Sequence, residues 1–549
     1  MSTTSHDADH WTGLAEPDAV IVGAGPVGLL IANQLGAQGL SVLVLEQLPE
    51  LIDYPRGVGM DDECLRAIQA VGLVDGVLPH TTPNQWMRFV TGKGRCFASI
   101  EPRTDEFGWP RRNAFIQPLV DRVLADGLSR YPGVSLELGT RLDSFTQDNE
   151  GVTLKVVDRT GTTQTIRTRY MVAADGGKSA IRKALDIPFE GTTDSNRWIV
   201  IDVANDPVAS PNAYMHCDPA RPYVSIALPH GIRRFEFMLF AGEAPGDVVP
   251  PEMLRQMLAK VVADPDNIDL IRARIYTHNA RLAKHFRKGR VLLAGDAAHI
   301  MPVWQGQGYN SGVRDAANLG WKLALVLKGI AGDELLDTYE EERREHARAM
   351  IDLSQTAGRI FSPTNPIVVG LRDAITWLLN YIPPVKRYFL EMRFKPMPRY
   401  KSGALFYGHG FDAASPVGRM FIQPMVETAD RRVVRLDDII GNGFALIAWG
   451  IDPSRWLSPA TRRTLDRLGA RIISVVPSVQ LQHEHARYND VTVVGDRDGR
   501  LKEWFGRNAD PVILVRPDRF VGAACKPQSI DDGVVALTRA MSCHVEAIA

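Results

Sequence analysis

The sequence predicts an α/β protein: a Rossmann-like dinucleotide-binding domain, interrupted by a β-rich insertion and followed by a second α/β domain. Three observations carry this. The apolar run Ala19-Val20-Ile21-Val22 enters Gly23-Ala24-Gly25-Pro26-Val27-Gly28; after a helical stretch, a second apolar run ends at Glu46, completing a βαβ unit. The same buried-strand texture recurs before Asp175-Gly176 and before Gly295-Asp296, with a β-rich stretch between them. Past residue 403 a new set of apolar strands begins, with a helix between.

Taken in order, residues 1–17 are polar, lack the apolar core of a signal peptide, and read as a flexible leader. Residues 18–188 and 276–400 form the discontinuous nucleotide domain with a helical extension. Helical apolar spacing marks 29–38, 61–71, 117–129, 311–327 and 335–354, with Gly39 and Gly72 as stops. Short runs at 134–138, 152–157 and 163–169 read as antiparallel strands, the last two joined by Asp158-Arg159-Thr160-Gly161. Residues 189–275 read as one β-sheet with a helix at 253–262. Prolines at 363, 366, 383, 384, 396 and 398 separate the domain at 403–549, where apolar runs 444–449 and 511–518 flank a helix at 459–468.

A chain of 549 residues implies two or three domains. Its net charge of −1 gives no basic field to attract nucleic acid or an anionic membrane. Five scattered cysteines without a C-x-x-C pair argue against a disulfide framework and a structural metal site, and fit a reducing cytoplasm. No apolar run reaches the roughly 18 residues of a membrane span. The apolar stretch 367–382 is interrupted by Arg372, Asp373 and Asn380, and reads as a buried or docking helix.

In Gly23-x-Gly25-x-x-Gly28 the glycines allow a tight turn and close approach of a pyrophosphate, and the helix start offers free N–H groups and partial positive charge. Val22, Pro26 and Val27 belong to this cradle. Glu46, with Gln47 beside it, ends the second strand where a carboxylate accepts from an adenosine ribose. Either Asp175 or Asp296 alone would read as a helix cap. Both together beside a dinucleotide motif point to one ligand held at several strand ends. Gly306-Gln307-Gly308-Tyr309-Asn310 enters a helix and offers amides to something flat and anionic.

These segments resemble the fingerprints of the class A flavoprotein monooxygenases, the aromatic hydroxylases, over about residues 18–350. The resemblance implies FAD and NADH as cofactors, with residues 189–275 as the substrate domain. Gly295-Asp296 would bind the ribityl chain and pyrophosphate, and Asp175 would serve FAD and nicotinamide. Gly306, Gly308 and Asn310 would face the pyrimidine edge of the ring, with Arg56, Gln117 and Pro302 close by. The stretches Leu51-Ile52-Asp53-Tyr54-Pro55-Arg56, 105–113, Arg221-Pro222-Tyr223-Val224-Ser225 and 299–310 further resemble the bacterial 3-(3-hydroxyphenyl)propionate hydroxylases. That implies a reaction of aromatic catabolism: NADH reduces the flavin, O2 adds to give a C4a-hydroperoxide, and a phenolic acid is hydroxylated ortho to its OH. It also implies a mobile flavin, with Arg56 serving the outer position. The C-terminal part resembles the thioredoxin-like domain of phenol-hydroxylase-type members. Lacking C-x-x-C, it is expected to serve dimerisation or scaffolding. A flavin hydroxylase or epoxidase for another phenol or a polyketide, and a non-catalytic flavin-binding protein, stay open on the same fold.

Such chemistry needs a base or acceptor at the phenol. Asp61, Asp62, His216, His299 and Tyr309 are candidates by chain neighbourhood, and Asp61, His216 and Tyr309 are carried forward as catalytic. A substrate carboxylate needs a cation, for which Arg111, Arg112 and Arg221 are available. Trp304, before the glycine-rich segment, is a candidate wall of the substrate site.

Overall fold

The computed structural model describes residues 16–240, 242–243, 249–408, 410–488 and 490–544; most of the expected leader lies outside them. Strand Ala19–Val22 is the hub of a six-stranded sheet. It pairs in parallel with Val42–Glu46 and with Tyr170–Ala173, which pairs in parallel with Val291–Leu293. All of these strands are buried on both faces, which explains their continuous apolar runs. Their carboxyl ends point the same way, so Gly23, Glu46, Asp175 and Gly295 emerge along one rim although the chain separates them widely. That rim is where open α/β sheets bind ligands. Val134–Leu138, expected to be antiparallel, instead adds to Val42–Glu46 in parallel. The helix Gln117–Asp126 supplies the crossover that a parallel neighbour needs.

An eight-stranded sheet stands over this rim. Its long strands Phe189–Val203 and Leu270–Ala283 run antiparallel, with Ile232–Leu239, Tyr223–Leu228 and Ala213–Cys217 following in spatial order. The sheet extends beyond the β-rich stretch: Met87–Thr91 pairs in parallel with Ala213–Cys217, and Cys96–Ile100 forms the edge. At the other edge lies His299–Ile300, directly after the Gly-Asp motif. Side chains alternate across the sheet. Ile199, Phe237 and Ile275 face the helix Pro251–Leu258; Trp198, Met238 and Tyr276 face the nucleotide domain.

The C-terminal sheet has three parallel central strands, Thr492–Asp496, Arg471–Pro477 and Ala445–Trp449, followed by antiparallel Val512–Val515 and Val521–Cys525. This is a thioredoxin-like arrangement. Its junction with the nucleotide domain is buried and charged. The Glu342 carboxylate accepts from Lys322 at 2.9 Å, Arg516 at 2.7 Å and Asn318 at 2.6 Å. Arg66 meets Asp437 through two bonds of 2.7 and 2.8 Å.

Candidate active site

The first glycines divide by what surrounds them. A Cβ on Gly23 would lie 2.3 Å from the Ala174 oxygen, and one on Gly28 would lie 2.1 Å from the Gly23 oxygen. Both glycines serve strand–helix packing. A Cβ on Gly25 meets nothing within 4 Å, so that glycine keeps clear a space outside the protein's own packing. The helix Pro26–Gly36 that follows has no side-chain cap, leaving amides directed at this space. Pro26 opens the helix, and Val27 contributes an amide while its side chain packs on Gly295 and Gly312. Glu46 is fixed by accepting from the amides of Ala24 at 2.9 Å and Leu48 at 3.0 Å. Gln47 is exposed beside it, and Val22 accepts from Ala174 N at 2.8 Å.

The Asp-Gly and Gly-Asp motifs are tied together. Arg182 donates to the Ala297 carbonyl at 2.8 Å and to Gly177 at 3.1 Å, and stacks 3.7 Å over Phe189. Asp175 does cap, accepting from Ile181 N at 3.3 Å, but its second oxygen is buried without a partner. Asp296 reaches accessible space from a deep recess, where burial raises its carboxyl pKa.

The helix Gly308–Leu327 also starts uncapped. Gly306 before it takes φ 61°. The Asn310 side chain is consumed in stitching: it donates to the Gly306 and Gly59 carbonyls at 2.8 and 3.0 Å and accepts from Asp61 N at 3.0 Å. Only its backbone remains for a ligand. Gln117 likewise accepts from the amides of Arg56 at 3.2 Å and Gly57 at 2.7 Å and donates to Asp121, pinning the loop rather than reaching out. Arg56 itself is exposed. Pro302 leads the short helix Val303–Gln305. Tyr309 lies with its ring 4.7 Å from Phe115 and its hydroxyl buried without a partner. Burial holds its phenol well above the usual range, so it can donate but not serve as a base.

Next to this cradle lies the inner face of the eight-stranded sheet. The two regions touch through near neighbours in the chain: Gly57 with Val58, Ile116 with Gln117, Trp304 with Gly306. Trp304 packs edge-on to Trp198 at 4.9 Å and to His278 at 5.4 Å. Tyr276 donates to Glu236 at 2.8 Å, and the His278 Nε2 lies 3.4 Å from the same hydroxyl. Trp198 Nε1 and His278 Nδ1 are buried without partners. Burial raises the Glu236 pKa and pushes His278 down to about 4. Arg112 precedes the strand Asn113–Phe115 in phase with Ala114 and Ile116, which face this apolar wall. Its Nε is buried without a partner, and burial alone pulls its guanidinium down to about 10. Asp202 binds Arg234 and Arg272, and both arginines donate to the Pro55 carbonyl at 2.6 Å, clamping the Tyr54–Arg56 loop to the sheet. Nothing local in the sequence marks Glu236, Tyr276 or His278. They meet only through strand register, whose signal is the period-two alternation of both strands.

Several sequence candidates are placed elsewhere. Asp61 caps the helix Asp62–Ala70 and pairs with Arg314 and, at 2.8 Å, with Lys395, so its lone pairs are taken. Asp62 and Glu63 cluster with it, and Arg314, Lys395 and Arg111 supply the counter-charge. Arg111 is thereby committed to Asp62 and Glu106 at 3.3 and 3.2 Å. His216 points to the opposite face of the sheet, its ring stacked on Tyr223 at 3.9 Å and Tyr223 on Phe237 at 5.3 Å. Arg221 is bound by Glu243 through two bonds, one of 2.7 Å. His299 is held by Asp315 at 2.6 Å, itself bound to Arg343 and the Gly295 amide. Charge pairing, not visible from residue type, removes Asp61, Arg111 and Arg221; strand phase removes His216.

Uncapped helix starts, a clear space at Gly25, an unpartnered Asp175 oxygen and an accessible Asp296 carboxylate fit FAD, an anionic dinucleotide with a flat ring. A βαβ cradle of this kind beneath a sheet-walled site defines a flavoenzyme. The chain belongs to the class A FAD-binding monooxygenase family: residues 16–354 match the family model for the FAD binding domain, and 418–540 the HcaD C-terminal domain. It is 55% identical to the 3-(3-hydroxy-phenyl)propionate/3-hydroxycinnamic acid hydroxylase of Paraburkholderia xenovorans, covering 96% of this chain and 91% of that one. It is 56% identical to the enzyme of the same name from Escherichia coli, covering 93% and 92%. Among solved structures it shares the fold of the flavin-dependent monooxygenase PieE, with TM-score 0.79 at 23% identity over 96% and 99% of the chains. It also matches p-nitrophenol 4-monooxygenase from Pseudomonas putida, with TM-score 0.63 at 26% identity over 70% and 98%.

Proposed function

We propose that this flavoenzyme uses NADH and O2 to hydroxylate 3-(3-hydroxyphenyl)propionate, or its cinnamic counterpart, ortho to the phenol. The observation that carries this reading is identity above one half, over nearly the whole of both chains, to hydroxylases named for those acids. The site supports it with an unmatched guanidinium, Arg112, and a phenol–carboxylate pair, Tyr276–Glu236, on one apolar wall.

When bound, FAD supplies the acceptor for the nicotinamide hydride and the means of activating O2. Gly25 and the amides of Val27 and Gly28 would hold the pyrophosphate, Glu46 the adenosine ribose, and Asp296 with Asp175 the ribityl side. The amides at Gly308–Asn310 place partial positive charge at the ring edge, where reduction deposits negative charge. The substrate carboxylate pairs with Arg112, which orients the ring along the wall made by Trp198, Trp304 and Ile116. The phenol hydroxyl donates to the Tyr276 oxygen. As the ring is attacked, the phenol proton passes to that oxygen and the Tyr276 proton passes to Glu236, whose raised pKa suits it to receive one. Trp198 and Trp304 exclude water from the reacting face. The unpaired cysteines fit a reducing cytoplasm.

The test is product analysis. The FAD-loaded protein, NADH, oxygen and 3-(3-hydroxyphenyl)propionate should give the 2,3-dihydroxy acid in near-stoichiometric yield on NADH. Hydrogen peroxide accounting for all the NADH would rule out this substrate.

A further inference from the structure

The helix Pro366–Leu379 is inside out. Its polar residues Arg372, Asp373, Thr376 and Asn380, the last at the C-cap, turn toward the protein. Arg372 donates to the Cys217 carbonyl at 3.0 Å and to Asp373 at 2.8 Å, and lies 5.2 Å over the Phe97 ring. Asn380 donates to the Phe97 carbonyl, and the next helix, Pro383–Leu390, accepts from the Glu101 amide through Leu390 at 2.8 Å. The first helix therefore holds the edge strand Cys96–Ile100 of the eight-stranded sheet with its polar side, and the second holds it through the Leu390 carbonyl.

The apolar side is left outward. Ile367 is 82% exposed, Leu371 62%, Ile375 48%, Leu378 60% and Tyr381 68%. At 100° per residue these positions, with Gly370 and Ala374 among them, fill one continuous half of the helix without a charge. Among the described residues, ten of the exposed large hydrophobic side chains fall between Ile367 and Phe389. At about half of the 150–250 Å² an aromatic side chain offers, and somewhat less for the aliphatic ones, they expose roughly 1,000 Å². Summed over both helices, that apolar area is comparable to the roughly 800 Å² one partner gives a stable interface.

We propose that this face is the interface with a second copy of the chain, with the two Pro366–Leu379 helices packed antiparallel about a two-fold axis. The spacing of Ile367, Leu371, Ile375 and Leu378 is the ridge that interdigitates with itself in such a pair. Gly370, beside which a Cβ would meet open space, and Ala374 let the backbones approach. A membrane-surface helix would present cations along its polar side, whereas the cation of that side in Pro366–Leu379, Arg372, is turned inward and bound. Lys386 and Arg387 on the following helix are exposed, so vesicle flotation forms one arm of the experiment. The C-terminal domain, where the sequence placed self-association, presents no comparable patch among its described residues.

The experiment is light-scattering mass measurement of the FAD-loaded full chain at micromolar concentration. Wild type should have twice the chain mass. The variant Leu371→Glu/Leu378→Glu should have the single mass while keeping its flavin content. A monomeric wild type, or a double variant that stays dimeric, would overturn the proposal. So would a monomeric wild type that floats with phosphatidylcholine–phosphatidylglycerol vesicles. Should the charged variant not fold, Ala374→Cys decides: oxidation should link two chains in it but not in Val479→Cys, whose position is 93% exposed, and equal linking in both would refute the interface.

Discussion

The Tyr276 hydroxyl donates to the Glu236 carboxylate at 2.8 Å, joining the two strands that flank Phe189–Val203 on the inner face of the substrate sheet. If this pair takes the phenol proton, Tyr276→Phe should lower hydroxylation by about 10²-fold, the usual scale of a lost acid–base group. FAD content should stay the same. NADH and O2 would then be consumed to hydrogen peroxide instead of product, so the ratio of catechol to NADH consumed should fall. Glu236→Gln should move the ratio the same way. Full coupling in both variants would remove the pair from the mechanism.

Arg112 gives a prediction with opposite signs in two measurements. Its guanidinium is buried with no carboxylate beside it, a cost to the free protein. Arg112→Met should therefore raise the melting temperature of substrate-free enzyme by about one degree, for about 1 kcal/mol recovered. It should also raise KM for the propionate substrate at least tenfold, for about 1.4 kcal/mol of lost pairing. A 3-alkylphenol without a carboxylate should show no such change. An equal loss for both substrates would make Arg112 a packing residue.

Gly25 and Gly28 separate cofactor clearance from packing. A Cβ at position 25 meets no protein atom within 4 Å, while one at position 28 lies 2.1 Å from a backbone oxygen. Gly25→Ala should leave the melting temperature of FAD-free protein unchanged and weaken FAD binding tenfold or more. Gly28→Ala should lower the melting temperature itself. Asp296→Ala should follow Gly25→Ala, losing FAD with little loss of stability, measured by flavin fluorescence during dilution. Unchanged FAD affinity in Gly25→Ala and Asp296→Ala would place the cofactor elsewhere.

The nucleotide cradle was legible in the sequence because its signals are local. A buried parallel strand reads as an unbroken apolar run, and the glycines and Asp175 or Asp296 follow it within a few residues. The substrate side was not, because its residues meet through register across strands. Glu236 and Tyr276 lie 40 positions apart, and neither carries a motif. Residue type also misled where charge pairing decides. Asp61 and Arg111 look available in the sequence, but Arg314, Lys395 and Asp62 occupy them. His216 failed by one step of alternation, since Met215 and Cys217 face the inner cluster. The stretch 367–382 was read as buried or docking; its outward apolar face favours docking.

His278 sets an acid sensitivity whose sign can be worked through. Burial pushes its pKa down to about 4, below the usual 6.5 of histidine, with Asp194 opposing in part. Between those values the unfolded chain binds a proton that the folded one refuses, so stability rises with pH there. The contribution is fully present above the unfolded pKa and is lost as pH falls through the window toward the folded one. From pH 7.5 to 5 this amounts to about 2 kcal/mol for one histidine. Asp121 acts in the other direction: burial raises it to about 7, so its cost lessens as pH falls. That slope is common to wild type and variant and cancels in their difference. His278→Gln should therefore lose about 2 kcal/mol less than wild type between pH 7.5 and 5, read from urea midpoints at the two pH values with slopes unchanged. Equal losses in both proteins would mean that His278 is charged in the folded state, and its place beside Tyr276 would then have to be that of a proton donor.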